Sequence, residues 1–78
     1  MKDTLLYIVQ SIVDFPDDVT LDEQEEEGVV QFSLSVNKED MGKVIGKEGK
    51  VIRSIRNVMK IQAMKQNKRI NISLVESA

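Results

Sequence analysis

The feature that most restricts the possible folds of this chain is a pair of glycines, Gly46 and Gly49, inside a segment that otherwise favours helix. The pair predicts a break between a short helix, about residues 38–45, and a longer helix, about residues 49–65. Gly46 falls where a helix end needs a left-handed residue, which is a common position for glycine. Gly49 opens the second helix, where the missing side chain would let another backbone approach closely. The two glycines therefore predict a tight, exposed turn between two helices.

The segments around this turn predict the remaining elements. Apolar residues at helical spacing indicate a helix over residues 2–14, followed by turn residues that include Pro16. A half-exposed acidic strand is expected over residues 19–26, and Glu27-Gly28 is typical of a hairpin turn. Strict alternation predicts a second strand over residues 29–36 with one buried face. Asn37 is a good N-cap for the short helix, with Glu39 and Asp40 in its first turn. After a turn at Asn67-Lys68, a last strand is expected to begin near Ile70.

The predicted order is α-β-β-α-α-β, which corresponds to an α+β fold of two layers. Three helices are expected to cover one face of a three-stranded sheet, with residues 1–78 forming a single domain. Ser33, Ser35, Asn71 and Ser73 are expected on the open side of an antiparallel sheet. Ideal winding of the long helix turns one stripe towards the sheet, made of Val51, Ile52, Ile55, Val58 and Met59. The expected core consists of Leu5, Val9, Ile12, Val30, Phe32, Leu34, Val36, Ile55, Met59, Ile70 and Ile72.

Composition excludes several classes of function. The chain contains no cysteine and no histidine, so disulfides, thiolate chemistry, imidazole bases and Cys/His zinc sites are ruled out. No apolar run is long enough to span a membrane and no signal-peptide pattern is present, so we expect a cytoplasmic protein without membrane insertion. Asp17, Asp18 and Asp22 are interpreted as turn and surface residues, so no metal and no cofactor are predicted. No sequence feature supports catalysis, and we predict that the protein is not an enzyme.

The charge is distributed unevenly along the chain, although the formal net charge is only −2. Residues 1–37 carry nine acids and one lysine, whereas residues 38–70 carry ten Lys/Arg residues and three acids. Such asymmetry can create a positive face on an acidic protein. Solvated charge on a small helical domain is the competing explanation, and charge alone does not separate the two.

Near the glycine pair, the residue types suit a phosphate backbone. Lys47 lies at the tip, with Lys43 and Lys50 one turn to either side. The start of the second helix presents unpaired N–H groups, which attract anions. Four aliphatic neighbours could form an apolar floor for bases, namely Val44, Ile45, Val51 and Ile52. A GxxG pattern alone is common by chance, so its position between two helices and two strands gives it its weight.

In this context the run from Met41 to Ile52, MGKVIGKEGKVI, resembles the signature of a KH domain, whose GxxG loop clamps a few single-stranded nucleotides. The α-β extension before the βααβ core is similar to the type II, prokaryotic arrangement. The whole chain, from the Val13–Asp17 turn to the last strand, resembles the small stand-alone bacterial KH proteins of the KhpA family. The resemblance implies binding of single-stranded RNA, homodimerisation and association with a larger KH/Jag-type protein. It also implies a link to cell elongation, division or envelope homeostasis.

Transferred to this sequence, the family pattern assigns Gly46, Lys47, Glu48 and Gly49 to the loop and Ile45 and Ile52 to its aliphatic flanks. Glu48 opposes Lys47, so the loop itself is neutral, and the charge for phosphates must come from neighbouring residues. None of the three aromatic residues lies in the groove segment, so stacking platforms are missing and binding should be weak and poorly selective. The predicted RNA-binding residues are Lys43, Val44, Ile45, Gly46, Lys47, Glu48, Gly49, Lys50, Ile52, Arg53 and Arg56.

Two residues of the long helix fall off its predicted core stripe. Ile61 lies well outside the stripe and Met64 lies nearly opposite it, so we expect both to be exposed and to form a symmetric homodimer interface. Local packing near a bent helix end is the alternative, because ideal winding puts Gln62 inside the stripe. Two further readings of the whole chain remain open: a protein-interaction adaptor with little RNA binding, and a helix-turn-helix DNA binder.

Overall fold

The computed structural model describes residues 1–77 and the side chains of residues 1–76. The helices and strands follow the predicted order, and 3₁₀ turns at Pro16–Asp18, Lys38–Asp40 and Lys47–Gly49 lie between them. The regular elements are α1 (Lys2–Ile12), β1 (Thr20–Glu26), β2 (Val29–Asn37), α2 (Met41–Ile45), α3 (Lys50–Lys65) and β3 (Arg69–Ser77). The predicted two-layer α+β architecture of a type II KH fold is confirmed.

The central strand of the sheet is β2, with β1 and β3 on its two sides. β1 pairs with β2 antiparallel through the two-residue turn Glu27-Gly28. β3 runs parallel to β2, in a register that places Phe32 opposite Ile72. The expectation of an antiparallel sheet throughout is therefore wrong. Two helices separate β2 from β3, and such a long crossover returns the chain to the end at which β2 began, which makes the pair parallel.

The core lies between the inner face of the sheet and the three helices. All four alternating apolar residues of β2 are fully buried, as predicted, together with Leu5, Val9 and Met59. The prediction for Ile12 is wrong: its side chain is 36% exposed, because α1 ends there and Val13 is already extended. Ile70 is only half-buried. Four apolar residues that were not predicted to lie in the core are also buried, namely Val19, Leu21, Val44 and Ala63.

The apolar stripe of α3 faces two neighbours rather than one. Ile52, Ile55, Met59 and Ala63 are buried against the sheet. Val58, predicted to face the sheet, is 43% exposed. Val51 and Val58 instead border a shallow apolar groove between α3 and α1. Gln62 also points towards α1, where its Nε2 donates to the Thr4 hydroxyl at 3.3 Å. The stripe is therefore divided because α1 lies beside α3 on the same face of the sheet.

Candidate nucleic-acid interface

The loop from Gly46 to Gly49 has an unusual backbone. Gly46 has φ 75° and ψ 174°, a combination that is essentially restricted to glycine. Glu48 (φ 57°, ψ 25°) and Gly49 (φ 74°, ψ 16°) are both left-handed. Three of the four loop residues therefore have positive φ, which turns the chain sharply between α2 and α3. The expectation of a left-handed helix cap at Gly46 is correct for φ but not for ψ.

The two glycines are required for different reasons. A Cβ atom added to Gly46 would lie 2.3 Å from Val51 Cγ2 and 2.9 Å from the Val51 backbone nitrogen. A Cβ added to Gly49 would meet nothing within 4 Å. Within the protein, close packing that excludes a side chain occurs at Gly46. The missing side chain of Gly49 leaves open space on the outside of the loop, which a ligand backbone can approach.

The loop and the start of α3 offer positive charge and a helix N-terminus without a side-chain cap. Lys47, Glu48 and Lys50 are all exposed. No side chain caps the N-terminus of α3, because its N-cap residue is Gly49. The first N–H groups of this 16-residue helix therefore lack a side-chain acceptor, and the helix dipole makes that end attractive to anions.

Lys43 is less available than its position suggests. Its ammonium forms an ion pair with the Asp14 carboxylate. The hydrogen bond to Asp14 is the main reason that the pKa of Lys43 is raised above its ordinary value of 10.5. Lys43 is therefore protonated at neutral pH, and its positive charge is lost as the pH rises through this raised pKa. Part of its charge is neutralised within the protein.

The aliphatic residues assigned to the groove do not all reach its surface. Val44 is fully buried, so its predicted contact with a ligand is wrong, and it anchors α2 in the core instead. Ile52 is 8% exposed and belongs to the hydrophobic core. Ile45 is 37% exposed beside the loop. The apolar surface next to the loop is therefore smaller than expected.

Arg53 and Arg56 lie exposed on α3 and lead away from the loop. The Arg56 Nη2 atom donates to the Ile72 carbonyl on the outer edge of β3 at 3.4 Å. Around this contact a groove of about 880 Å³ runs between α3 and β3. The residues that line it are Val29, Gln31, Arg56, Asn57, Lys60, Met64, Lys68, Arg69, Ile70, Asn71, Ile72 and Ser73.

Most of these groove residues were missed from sequence. Helical winding places Arg53, Asn57 and Lys60 on the same side of α3 as Arg56, and this signal was available. The sequence did not show that β3 lies next to this side of α3. The aromatic residues stay away from the groove, as expected: Phe32 is buried, while Tyr7 and Phe15 are exposed elsewhere.

A buried carboxylate fixes the base of the loop region. Asp40 is fully buried, and its two oxygens accept hydrogen bonds from the backbone N–H groups of Asp14 and Phe15, both at 3.0 Å. Asp40 immediately precedes α2, so it ties the turn after α1 to the helix that leads into the loop. From the sequence, Asp40 is expected only in the first turn of the helix, and its contacts with Asp14 and Phe15 are not predicted.

The second predicted surface is exposed as expected. The side chains of Ile61 and Met64 on α3 are 57% and 64% exposed, and Met64 also borders the groove between α3 and β3. Among residues 1–77, no group of three or more acidic residues is arranged to hold a metal ion. No helix in that range is both long enough and apolar enough to cross a membrane.

Comparison with known proteins gives consistent matches. The family described as "KhpA/KhpB, KH domain" matches residues 2–74. The RNA-binding protein KhpA of Clostridium acetobutylicum is 44% identical over 75 residues, covering 96% of this chain and 100% of that protein. RNA-binding protein KhpA of Listeria monocytogenes is 38% identical over 97% of this chain and 100% of its own length. The protein of the same name from Chlamydia pneumoniae is also 38% identical, covering 97% of each chain.

Proposed function

The chain belongs to the KhpA/KhpB family of KH-domain proteins, and on that basis we propose that it binds single-stranded RNA through the Gly46–Gly49 loop. The observation that carries the proposal is the open space outside Gly49, where an added Cβ would meet nothing within 4 Å. Gly46, in contrast, is closed off by Val51. The loop is thus packed on its inner side and open on its outer side, as a clamp for a sugar-phosphate backbone requires.

In this mechanism the RNA backbone lies against Gly49 and the N–H groups of the first turn of α3 that follow Lys50, whose own N–H donates to the Lys47 carbonyl. Lys47 and Lys50 supply the positive field at the loop. Arg53 and Arg56 then contact phosphates as the strand leaves the loop along α3. Ile45 offers an apolar contact to a base beside the loop. None of these residues needs to change its chemical state, so the proposed activity is binding rather than catalysis.

Binding at this site should be weak and of low sequence specificity. Glu48 offsets the charge of Lys47, and Asp14 offsets that of Lys43. No aromatic side chain lines the groove, so base stacking contributes little. These properties suit a cytoplasmic RNA chaperone or post-transcriptional regulator that contacts many RNAs. We place that role in bacterial cell elongation or division, as the family resemblance implies.

The test replaces Lys47 and Glu48 together by Asp and keeps both glycines. Asp tolerates positive φ, so the loop should retain its backbone conformation. Lys2→Asp is the matched control, because it changes the net charge equally at an exposed site on α1. Folding is checked by circular dichroism, and a short single-stranded RNA is titrated by fluorescence anisotropy. We expect the loop variant to lose binding and the control to keep most of it. Equal binding by parent and loop variant would refute the clamp.

The exposure of Ile61 and Met64 supports a second candidate function, a protein-interaction adaptor. In this role the outer side of α3 forms a homodimer or contacts a larger KH/Jag-type protein. Ile61→Asp should lower the mass measured by light scattering, while Lys38→Asp, at an exposed site outside α3, should not. If Ile61→Asp leaves the mass unchanged, this interface is excluded. An Ile61→Asp variant that still binds RNA would show that the two surfaces act separately.

A further inference from the structure

A second groove lies between α1 and α3, on the side of α3 that is turned away from Arg56. It has a volume of about 340 Å³, and we call it the α1–α3 groove. Its side chains at Ile12 and Val58 are 36% and 43% exposed. This part of the protein therefore presents an apolar depression to solvent. Its aliphatic lining consists of Ile8, Ile12, Val51, Ile55 and Val58, and the other lining residues are Lys50 and Ser54.

The shape of the α1–α3 groove fits one further helix. Ile12 lies beside the start of α3, whereas Gln62, near the end of α3, donates to the Thr4 hydroxyl at 3.3 Å. The two helices therefore run antiparallel, and this hydrogen bond closes one end of the groove. From Lys50 to Val58 the groove extends about 12 Å, or about two helical turns. A ridge of apolar side chains at positions i, i+3, i+4 and i+7 of a partner helix spans this length.

A second copy of the chain does not suit this groove. A twofold axis would set the groove of one copy against the groove of the other, and two facing depressions leave unfilled space between them. A copy that inserted a different ridge would form a head-to-tail contact, which builds rings or open-ended chains. The groove therefore fits a segment of a different protein better than it fits this chain.

The charges beside the groove favour an acidic occupant. Lys50 is the one charged residue of the lining, and it lies at the N-terminal end of α3, where the helix dipole is positive. α3 carries five Lys/Arg residues and no acid. Asp3, the one acid of α1, is not part of the lining, and helical winding places it on the opposite side of α1 from Ile12. Carboxylates on the flank of a bound helix would therefore meet positive charge.

One end of the α1–α3 groove adjoins the Gly46–Gly49 loop. Lys50 and Val51 line the groove and follow Gly49 directly in the chain. Val51 is also the residue that a Cβ on Gly46 would overlap, so its side chain packs against the loop. A carboxylate bound at Lys50 would neutralise one of the charges that the loop offers to RNA. A helix in the groove and RNA at the loop therefore draw on the same positive field, although they occupy different surfaces.

We propose that the α1–α3 groove binds an amphipathic helix with acidic flanks from another protein, and that this helix lowers the affinity of the loop for RNA. The docking site itself follows from the shape, the apolar lining and the charge of the groove. The effect on RNA rests on the proposed RNA-binding function and adds a regulatory partner to it.

The docking test uses a phage-displayed library of helical peptides of about 18 residues. Leucines at helical spacing form one face of each peptide, and the flanking positions vary among Glu, Lys, Gln and Ala. The library is selected against the full-length protein, and the selected peptides are titrated by fluorescence anisotropy. The groove variant is Val58→Asp. The matched control is Gln10→Asp, which adds the same charge to a helix at an exposed position outside both grooves.

We expect the selected peptides to carry Glu rather than Lys at their flanks. Val58→Asp should weaken their binding by about 10-fold or more, because it puts a charge into the apolar contact, whereas Gln10→Asp should keep it. If Val58→Asp does not fold, as judged by circular dichroism, Val58→Thr keeps the shape of the side chain and replaces a methyl group by a hydroxyl. It should weaken peptide binding by a smaller factor.

The effect on RNA is measured with the same peptides. Saturating the parent with a selected acidic peptide should lower its affinity for a short single-stranded RNA by about 5-fold or more. Saturating RNA should weaken peptide binding by the same factor, because coupling between two sites is reciprocal. Val58→Asp should bind RNA as the Gln10→Asp control does, and the peptide should no longer change that affinity.

Three results would overturn the docking site. One is a library from which no peptide is enriched, another is enrichment of Lys-rich flanks, and the third is equal peptide binding by the parent and the groove variant. RNA affinity that stays the same when the peptide is bound would overturn the coupling alone. A parent that binds the peptide but no RNA would refute the proposed RNA-binding function and the coupling, and would leave the docking site in place.

Discussion

At the scale of single residues, Asp40 has the largest structural role of any charged side chain in the described part of the chain. It is the one charged residue there that is fully buried, and it satisfies two backbone N–H groups. Removing it leaves both donors without their partner and opens a gap under the turn after α1. Asp40→Ala should therefore lower the free energy of unfolding by about 2–4 kcal/mol.

Urea denaturation measures this loss for Asp40. Asp22→Ala serves as the control, because Asp22 is exposed on β1 and its removal should change stability by less than about 0.5 kcal/mol. Asp40→Asn should fall between Ala and the parent, since one oxygen can still accept a hydrogen bond. Identical urea midpoints for Asp40→Ala and the parent would contradict this role.

The two loop glycines should respond differently to the same substitution. Gly46→Ala forces a Cβ against Val51 and should cost about 2–4 kcal/mol, from backbone strain and overpacking together. Gly49→Ala meets no neighbour and should cost only about 1–2 kcal/mol, from its left-handed φ. Its added methyl group would, however, occupy the face proposed for RNA.

Chemical denaturation and RNA titration of these two variants separate stability from binding. We expect the larger loss of stability in Gly46→Ala. At a temperature where both variants are folded, Gly49→Ala should lose more RNA affinity, relative to its loss of stability, than Gly46→Ala does. If Gly49→Ala binds RNA as well as the parent, the RNA backbone does not approach this residue.

At the scale of elements, the β1–β2 hairpin is closed by a two-residue turn, and only one of the two residues suits the conformation of the turn. Glu27 (φ 53°) and Gly28 (φ 79°) both have positive φ, as in a type I′ turn. Gly28 suits this conformation, whereas Glu27 is strained in it. Glu27→Asn should stabilise the protein by about 0.5–1 kcal/mol, because asparagine tolerates positive φ.

Thermal denaturation tests the turn, with Glu26→Asn as its control. Glu26 is exposed and extended in β1, where asparagine is a poor strand former, so that substitution should not raise the melting temperature. A lower melting temperature for Glu27→Asn would mean that the Glu27 side chain makes a contact whose stabilising effect exceeds the destabilising effect of the backbone strain at this position.

The same elements show which features of the fold could be predicted from the sequence and which could not. The alternation of apolar and polar residues located β2 correctly, because only one face of this strand is fully buried. The parallel direction of β3 was missed, since alternation carries no information about strand direction. Asp40 was missed for a related reason: its partners, Asp14 and Phe15, are 26 and 25 residues away, and no local pattern records such a contact. The groove between α3 and β3 depends on the same kind of long-range arrangement.

At the scale of the whole molecule, charge is separated between an acidic strand and a basic helix and groove. Four residues of β1 are acidic, whereas α3 carries five Lys/Arg residues and no acid. An RNA that approaches this protein is repelled by one part and attracted by the other, so its orientation is set before contact. The sequence predicted this polarity, but only the fold places the cations along one groove.

The consequence of this polarity is a measurable dependence on salt. Phosphate contacts release counterions, and for single strands the slope of log K against log salt concentration is about −0.7 per contact. Contacts to Lys47, Lys50, Arg53 and Arg56 predict a slope near −2.8. Titrating a short single-stranded RNA at several salt concentrations measures this slope. A slope near zero would mean that the cations do not contact phosphates, and the RNA-binding proposal would then lack its electrostatic basis.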